Sequence, residues 1–246
     1  MNSISPNLNL MIKASEKASK ILIRDFGEVE KLQVSLKGPN NFVTNADRKV
    51  EEIIIKELEK SKKNFSFLTE ESGFIENKDK DNFWIIDPID GTTNFLNGVP
   101  HFCISIALLI DNEIIAGVIY DPIKDEIFYA EKNGGAYLNN KSIRVSKKGL
   151  INQCLYGVNF RKNLPEDFIV RNTGSAALDL AYVSSGRFDG SLQKNVNLWD
   201  VAAGVILVKE AGGIVNNFEL NKFEKISIKA SNERINEDLS KKISIF

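Results

Sequence analysis

The stretch Trp84-Ile85-Ile86-Asp87-Pro88-Ile89-Asp90-Gly91-Thr92-Thr93-Asn94-Phe95 limits what this chain can become more than any other. Phe83 to Ile86 is an apolar run that reads as a buried strand. It delivers a carboxylate, Asp87, at its end. Pro88 holds Asp87 extended and is expected to stop the strand, because its ring disfavours the helical region for the residue before it. Ile89 and Asp90 then turn, and Gly91 lets the backbone come close to whatever lies there. Thr92 and Thr93 open the next helix or turn with free N–H groups. Two carboxylates three residues apart, followed by a glycine and open amides, make a site with two halves. The oxygens suit a divalent cation and the amides suit a phosphate. The same string is also good turn chemistry, so it needs support from the rest of the chain.

That support comes from separate segments. Phe65 to Leu68 is a short strand followed by Thr69-Glu70-Glu71-Ser72-Gly73, again a strand end that delivers a carboxylate. Phe42-Val43-Thr44-Asn45-Ala46-Asp47 leads into a helix with Val50, Ile53, Ile54 and Leu58 on one face. Thr44 and Asp47 have the form of a capping box, with Asp in place of the usual Glu. Asp47 either favours the helix N-terminus or faces the site and orients a hydroxyl. Gly174-Ser175-Ala176-Ala177 opens a helix stopped by Gly186; its small residues let a ligand, or a packed strand, touch the backbone. Asn197-Leu198-Trp199-Asp200 begins a buried helix that ends at Gly212-Gly213. If the fold brings Glu70, Asp87, Asp90 and Asp200 into one cleft, at least one pKa rises unless cations intervene. His101 is the only histidine, and Cys103 and Cys154 are the only cysteines, with no CxxC. Hard Mg²⁺ therefore fits far better than zinc or copper. A histidine-assisted nucleophile would have to use His101, whose neighbours Pro100 and Phe102 point to packing instead. Direct attack by water is the expected chemistry.

The remaining pattern places these motifs. Ser5 caps and Pro6 starts a helix with Leu8, Met11, Ile12, Ala18, Ile21, Leu22 and Phe26 at helical spacing, ended by Gly27. Leu32, Val34 and Leu36 alternate as a strand, and Lys37 to Asn41 is a loop carrying one cation, Lys37. Asn77 to Asn82 reads as a solvated loop. Phe102–Ile110, Ile114–Tyr120, Glu126–Glu131 and Ala136–Leu138 form an antiparallel meander with turns at Asp111-Asn112 and Asn139-Asn140. The first half is thus α+β. The second alternates short strands (Leu155–Val158, Phe168–Val170, Phe188–Leu192, Ile214-Val215, Ile226–Ile228) with helices, the last from about Ser231. One catalytic unit spans 1–246, with a metal-motif subdomain at 1–138 and an α/β subdomain at 139–246. With 43% hydrophobic and 26% charged residues and a net charge of -1, nothing favours nucleic acid or an anionic membrane. The longest apolar run, Phe102 to Ile110, is too short to span a bilayer, and the N-terminus lacks a signal-peptide pattern. A cytoplasmic protein with reduced cysteines is expected.

The set Glu70-Glu71-Ser72, Asp87 to Phe95 and Trp199-Asp200-Val201-Ala202-Ala203-Gly204 resembles the inositol monophosphatase family, in its bacterial inositol-1-monophosphatase-like form. Phe42 to Asp47 and Glu210-Ala211-Gly212-Gly213 match it too, so the likeness runs from about Leu8 to Phe246. The resemblance implies a layered αβαβα sandwich of the inositol monophosphatase and fructose-bisphosphatase type, a homodimer, and Mg²⁺-dependent, lithium-sensitive hydrolysis of a small phosphate monoester. It implies two or three Mg²⁺ held by Glu70, Asp87, Asp90, Asp200 and the Ile89 carbonyl. It also implies phosphate bound by the Gly91 and Thr92 amides, and Thr92, hydrogen-bonded to Asp47, helping Glu70 activate the attacking water. Gly174, Ser175, Ala176 and Gln193 would meet the alcohol. Gln193 stands where many members carry Glu, and Asn197 where animal enzymes carry His. Both departures bear on the substrate and neither on the metal set. myo-Inositol monophosphate is the expected substrate. Histidinol phosphate, fructose 1,6-bisphosphate and 3′-phosphoadenosine 5′-phosphate are alternatives within the same chemistry. A partner-binding regulatory protein that kept the fold is the alternative of another class.

Overall fold

The computed structural model describes residues 4–28, 34–36, 42–160, 162, 164–220 and 224–243. The chain runs α1 (Pro6–Phe26), β1 (Val34–Leu36), β2 (Phe42–Thr44), α2 (Asn45–Leu58), β3 (Phe65–Thr69), β4 (Gly73–Ile75), β5 (Asp79–Asp90) and α3 (Thr92–Leu96). It continues with β6 (Cys103–Ile110), β7 (Glu113–Asp121), β8 (Glu126–Glu131), β9 (Gly135–Leu138) and β10 (Lys141–Ile143). Then come β11 (Leu155–Val158), β12 (Ile169–Arg171), α4 (Ala176–Ser184), β13 (Gly190–Val196), α5 (Leu198–Glu210), β14 (Gly213–Asn216), β15 (Ile226–Asn232) and α6 (Glu233–Lys242). Leu32, Lys37 and the rest of the 37–41 loop lie outside the described residues.

Two sheets carry the architecture. One has eight strands in the order β10-β9-β8-β7-β6-β5-β3-β4, the other five in the order β12-β11-β13-β15-β14. The apolar runs explain the layering. On β5, Trp84 and Ile86 face a core shared with Met11, Leu22, Val50 and Ile54 of α1 and α2. Phe83 and Ile85, pointing the other way by the twofold period of a strand, join a core with Leu178 and Leu180 of α4 and Val201 and Leu207 of α5. That middle core also takes Ile228 and Ala230 of the second sheet. A third core packs Tyr156, Val158 and Leu192 against Ile235 and Leu239 of α6. Helices, sheet, helices, sheet and helix therefore stack in five layers, the αβαβα sandwich expected. The central strands of the first sheet are covered on two faces, which is why Phe83–Ile86 and the whole of β6 read as near-continuous apolar runs rather than alternating ones.

Several local expectations are met and some are corrected. Ser5 caps α1, its hydroxyl accepting from the Leu8 N–H at 3.2 Å. Cys103 and Cys154 are buried free thiols. Pro88 does not stop β5, which runs on to Asp90. The ladder to β6 shifts register between Asp87 and Asp90, and a proline is tolerated where pairing is already interrupted. The 77–82 stretch is not a free loop: β5 begins at Asp79, whose carboxylate accepts from the Asp81 and Asn82 amides at 3.2 and 3.0 Å. The first sheet continues through β10, past Leu138, because Asn139 and Asn140 adopt φ of 44° and 66° and close a tight hairpin.

Helices α4 and α5 meet at Gly204, where a Cβ would lie 2.4 Å from the Leu180 Cβ. Gly204→Ala should therefore destabilise the fold by about 1–3 kcal/mol through overpacking, despite the better helix propensity of alanine. The urea midpoint reads this directly; a midpoint unchanged or raised would contradict so close a crossing.

Candidate active site

The chain ends of β3 and β5, the first turns of α3, α4 and α5, and strand β13 converge on one cleft of about 260 Å³. Glu70, Asp87, Ile89, Asp90, Gly91 and Thr92 line one side. Gly174, Ser175, Ala176, Asp179, Gln193, Asn197 and Asp200 line the other. Every residue expected at the site lines it except Asp47. Asp47 is buried on the first turn of α2, and its charge acts on Glu70.

Each carboxylate is placed by a local device. The Glu70 N–H donates to the Ile86 carbonyl at 3.2 Å, fastening the end of β3 to β5. The next two residues are held by Glu51 of α2, which accepts from the Glu71 N–H at 2.9 Å and from the Ser72 hydroxyl. Asp87 Oδ1 accepts from the Ile89 N–H at 3.0 Å, so the backbone turns around the side chain. Asp90 Oδ2 accepts from the Ser175 hydroxyl at 2.6 Å and the Ala177 N–H at 2.7 Å, linking the first sheet to the start of α4. Asp200 Oδ2 accepts from the Asn197 N–H at 2.7 Å in the first turn of α5. Gly91 sits at φ 100°, and a Cβ there would stand 3.0 Å from the His101 carbonyl oxygen. Only glycine takes both the backbone angle and the contact. The amides after it begin α3 and, as first-turn donors, have no acceptor within the helix. The Thr92 hydroxyl donates to the Ile89 carbonyl at 2.9 Å, so the bond from Thr92 to Asp47 that the resemblance implies needs this hydroxyl to turn.

The electrostatics is that of negative charges crowded out of water. Burial, then repulsion from Asp200, Asp47 and Glu71, pushes Glu70 up to about 8. Asp87 is raised well above the usual carboxylate range by burial and by Glu70, Asp90 and Asp200. Burial and Asp90 push Asp200 up to about 7, against the Asn197 hydrogen bond. Asp90 rises only to about 6, because Ser175 and the α4 amides stabilise its charge. Burial pushes Asp179 up to about 8 against donors from Thr173 and Gln193.

Such a set is an oxygen-only donor group whose charges destabilise one another, which fits a hard divalent cation. Among the described residues no group of three or more His, Cys, Asp or Glu side chains stands ready-arranged around a metal position. The oxygen chemistry of the set nonetheless fits such a cation.

Sequence reading missed the supports. Asn94 Nδ2 donates to the carbonyls of His101 and Thr173, both at 2.8 Å, and so staples the two sides of the cleft. Asp179 lies in an otherwise apolar helix and is 2% exposed. An isolated carboxylate on an apolar helix is itself the signal that would have singled it out. His101 packs edge-on against Tyr182, as its neighbours suggested.

The description "Inositol monophosphatase family" matches residues 4–244. The inositol-1-monophosphatase of Mesorhizobium japonicum is 44% identical over 253 residues, covering 96% of this chain and 95% of its own. A Pasteurella multocida protein named Nus factor SuhB is 42% identical over 230 residues, covering 87% of this chain and 86% of its own. The crystal structure of the extragenic suppressor protein suhB from Bartonella henselae superposes with a TM-score of 0.90 at 44% identity, covering 98% of this chain and 99% of that one. Among the described residues no helix is long and apolar enough to cross a membrane. Matched over nearly its full length, the chain belongs to the inositol monophosphatase family, a family of phosphoric monoester hydrolases.

Proposed function

We propose that this chain hydrolyses myo-inositol monophosphate with Mg²⁺, as a homodimer and with water as the nucleophile. The observation that carries the reading is the crowding of Glu70, Asp87, Asp90 and Asp200 beside the Gly91–Thr92 amides in one cleft. When bound, two or three Mg²⁺ would supply a water of lowered pKa and a positive field for the leaving oxygen. Glu70, Asp87, Asp90, Asp200 and the Ile89 carbonyl would hold them. The chain's own work is positioning and proton transfer. Glu70 would act as the general base that takes the water's proton. Thr92, supported by Asp47, would orient the water toward it. The Gly91 and Thr92 N–H groups would grip phosphate oxygens, and Gly174, Ser175, Ala176 and Gln193 would face the alcohol.

The test is a turnover panel of myo-inositol 1-phosphate, histidinol phosphate, fructose 1,6-bisphosphate and 3′-phosphoadenosine 5′-phosphate, with and without Mg²⁺. The expected result is Mg²⁺-dependent release of phosphate, fastest from the inositol ester and suppressed by lithium. Preference for another ester would move the substrate and keep the chemistry. The Pasteurella multocida relative named Nus factor supports a second reading, a regulatory protein that binds a partner through the same fold. A folded chain with no turnover of any ester would favour it.

A further inference from the structure

We infer that Asp179 is a positioning residue: it fixes the Gln193 amide so that only its carbonyl oxygen is presented to the substrate alcohol. The side chains of both residues are enclosed, Gln193 at 0% and Asp179 at 2% exposure, and both line the cleft. Gln193 Nε2 donates to Asp179 Oδ2 and to Ser191 Oγ, each at 2.9 Å. Both protons of the amide are thereby used. Gln193 Oε1 has no hydrogen-bond partner among the described residues. A buried amide oxygen left in this state costs free energy unless a donor arrives, and the donor that fits a cleft built for a phosphate ester is a hydroxyl of the ester's alcohol.

Asp179 is itself held to this task. Its Oδ1 accepts from the Thr173 hydroxyl at 2.7 Å, so in the ionised form both of its oxygens accept and neither side presents a donor to Gln193. The space it occupies is kept by Gly157 of β11, where a Cβ would fall 2.5 Å from the Asp179 Cγ. The consequence is chemical. A glutamine can donate or accept, but here the donor half is turned away from the ligand. Gln193 therefore offers the alcohol the same acceptor that a glutamate would, with no charge of its own at that point. The site selects alcohols that bring a hydroxyl donor to this point, that is, polyol phosphates over esters of bare rings or chains. The identity of the polyol rests on the function proposed above; the orientation of the amide does not.

Asp179→Asn tests this: with Thr173 still donating to the Asn oxygen, the new NH₂ faces Gln193, and the amide exchange below reports whether that arrangement forms. Gln193 must turn its oxygen inward and its NH₂ toward the ligand. At pH 9, where wild-type Asp179 is ionised, we expect the ratio of kcat/KM for myo-inositol 1-phosphate to that for p-nitrophenyl phosphate to fall about tenfold in D179N, through KM. The double variant D179N/Q193E restores an acceptor and should recover the ratio. A second readout needs no turnover. The Gln193 side-chain amide, assigned in NMR spectra by its loss in Q193E, should exchange slowly with solvent in the wild type and about tenfold faster in D179N. A rapidly exchanging Gln193 amide in the wild type, or an unchanged ratio in D179N together with the faster exchange, overturns the inference. Absence of any ester hydrolysis by the wild type would instead defeat the proposed function, and the amide exchange would still decide the orientation.

Discussion

Asp200→Asn should lower kcat/KM for myo-inositol 1-phosphate by at least about 10³-fold while making the Mg²⁺-free protein more stable by roughly 2–4 °C in Tm. The two effects have one cause. Asp200 is buried and its charge raises both Glu70 and Asp87. Its own carboxylate is pushed up to about 7. Asparagine removes that charge and keeps an oxygen able to accept from the Asn197 N–H, now at 2.7 Å. The first turn of α5 is therefore preserved, while repulsion in the cleft falls and the proposed metal set loses one of its anionic members. Thermal melts and steady-state rates on the same preparation read both. A folded variant with full activity would remove Asp200 from the metal set. A variant that is inactive and also markedly less stable would show that the residue matters for folding instead.

A Mg²⁺ concentration about 100 times the dissociation constant at pH 8.5 should raise Tm by roughly 5–10 °C at that pH, and the same concentration should raise it by clearly less at pH 5.5, where protonation weakens binding. The sign follows from proton counting. Glu70, Asp90 and Asp200 titrate in the folded chain at about 8, 6 and 7, above their ordinary values of 4.5, 3.8 and 3.8. Between about pH 4 and those folded values the unfolded chain has released protons that the folded chain still holds. Stability of the metal-free protein therefore falls as pH rises through this window. Below it the groups are neutral in both states, and above it the full cost of the ionised cluster is present. A cation that binds the ionised set offsets that cost, so its effect grows with pH. A Tm increment independent of pH from 5.5 to 8.5 would contradict the assignment of these side chains to a cation.

The parts of the site that were legible from sequence are those built from neighbours along the chain. Asp87 and Asp90 close an apolar strand, Glu70 follows another, and Asp200 opens an apolar helix. Each is a local pattern that by itself sets where its carboxylate stands. What escaped is held by pairs far apart in sequence. The Glu51 carboxylate supports residues 71 and 72, Asn94 reaches Thr173, and Asp90 reaches Ser175 and Ala177. No periodicity announces such bonds, because either partner alone looks like an ordinary polar residue. The run of β5 through Pro88 escaped for a related reason. A proline ends a strand only where its missing N–H would have been paired, and pairing is a property of β6, not of β5. The five-layer stacking came through the family resemblance; apolar runs alone could not say which face met which helix.

Asp90 has one oxygen turned to the α4 entrance, where it receives the Ser175 hydroxyl and the Ala177 amide. The same side chain thus belongs to the proposed cation half of the cleft and touches the start of α4 on its other wall. Crowded anions would ordinarily drive the two walls apart; this contact latches them. The width of the cleft is consequently preset by this latch, and damage at Asp90 would be felt as a slackened jaw, not only as a lost charge.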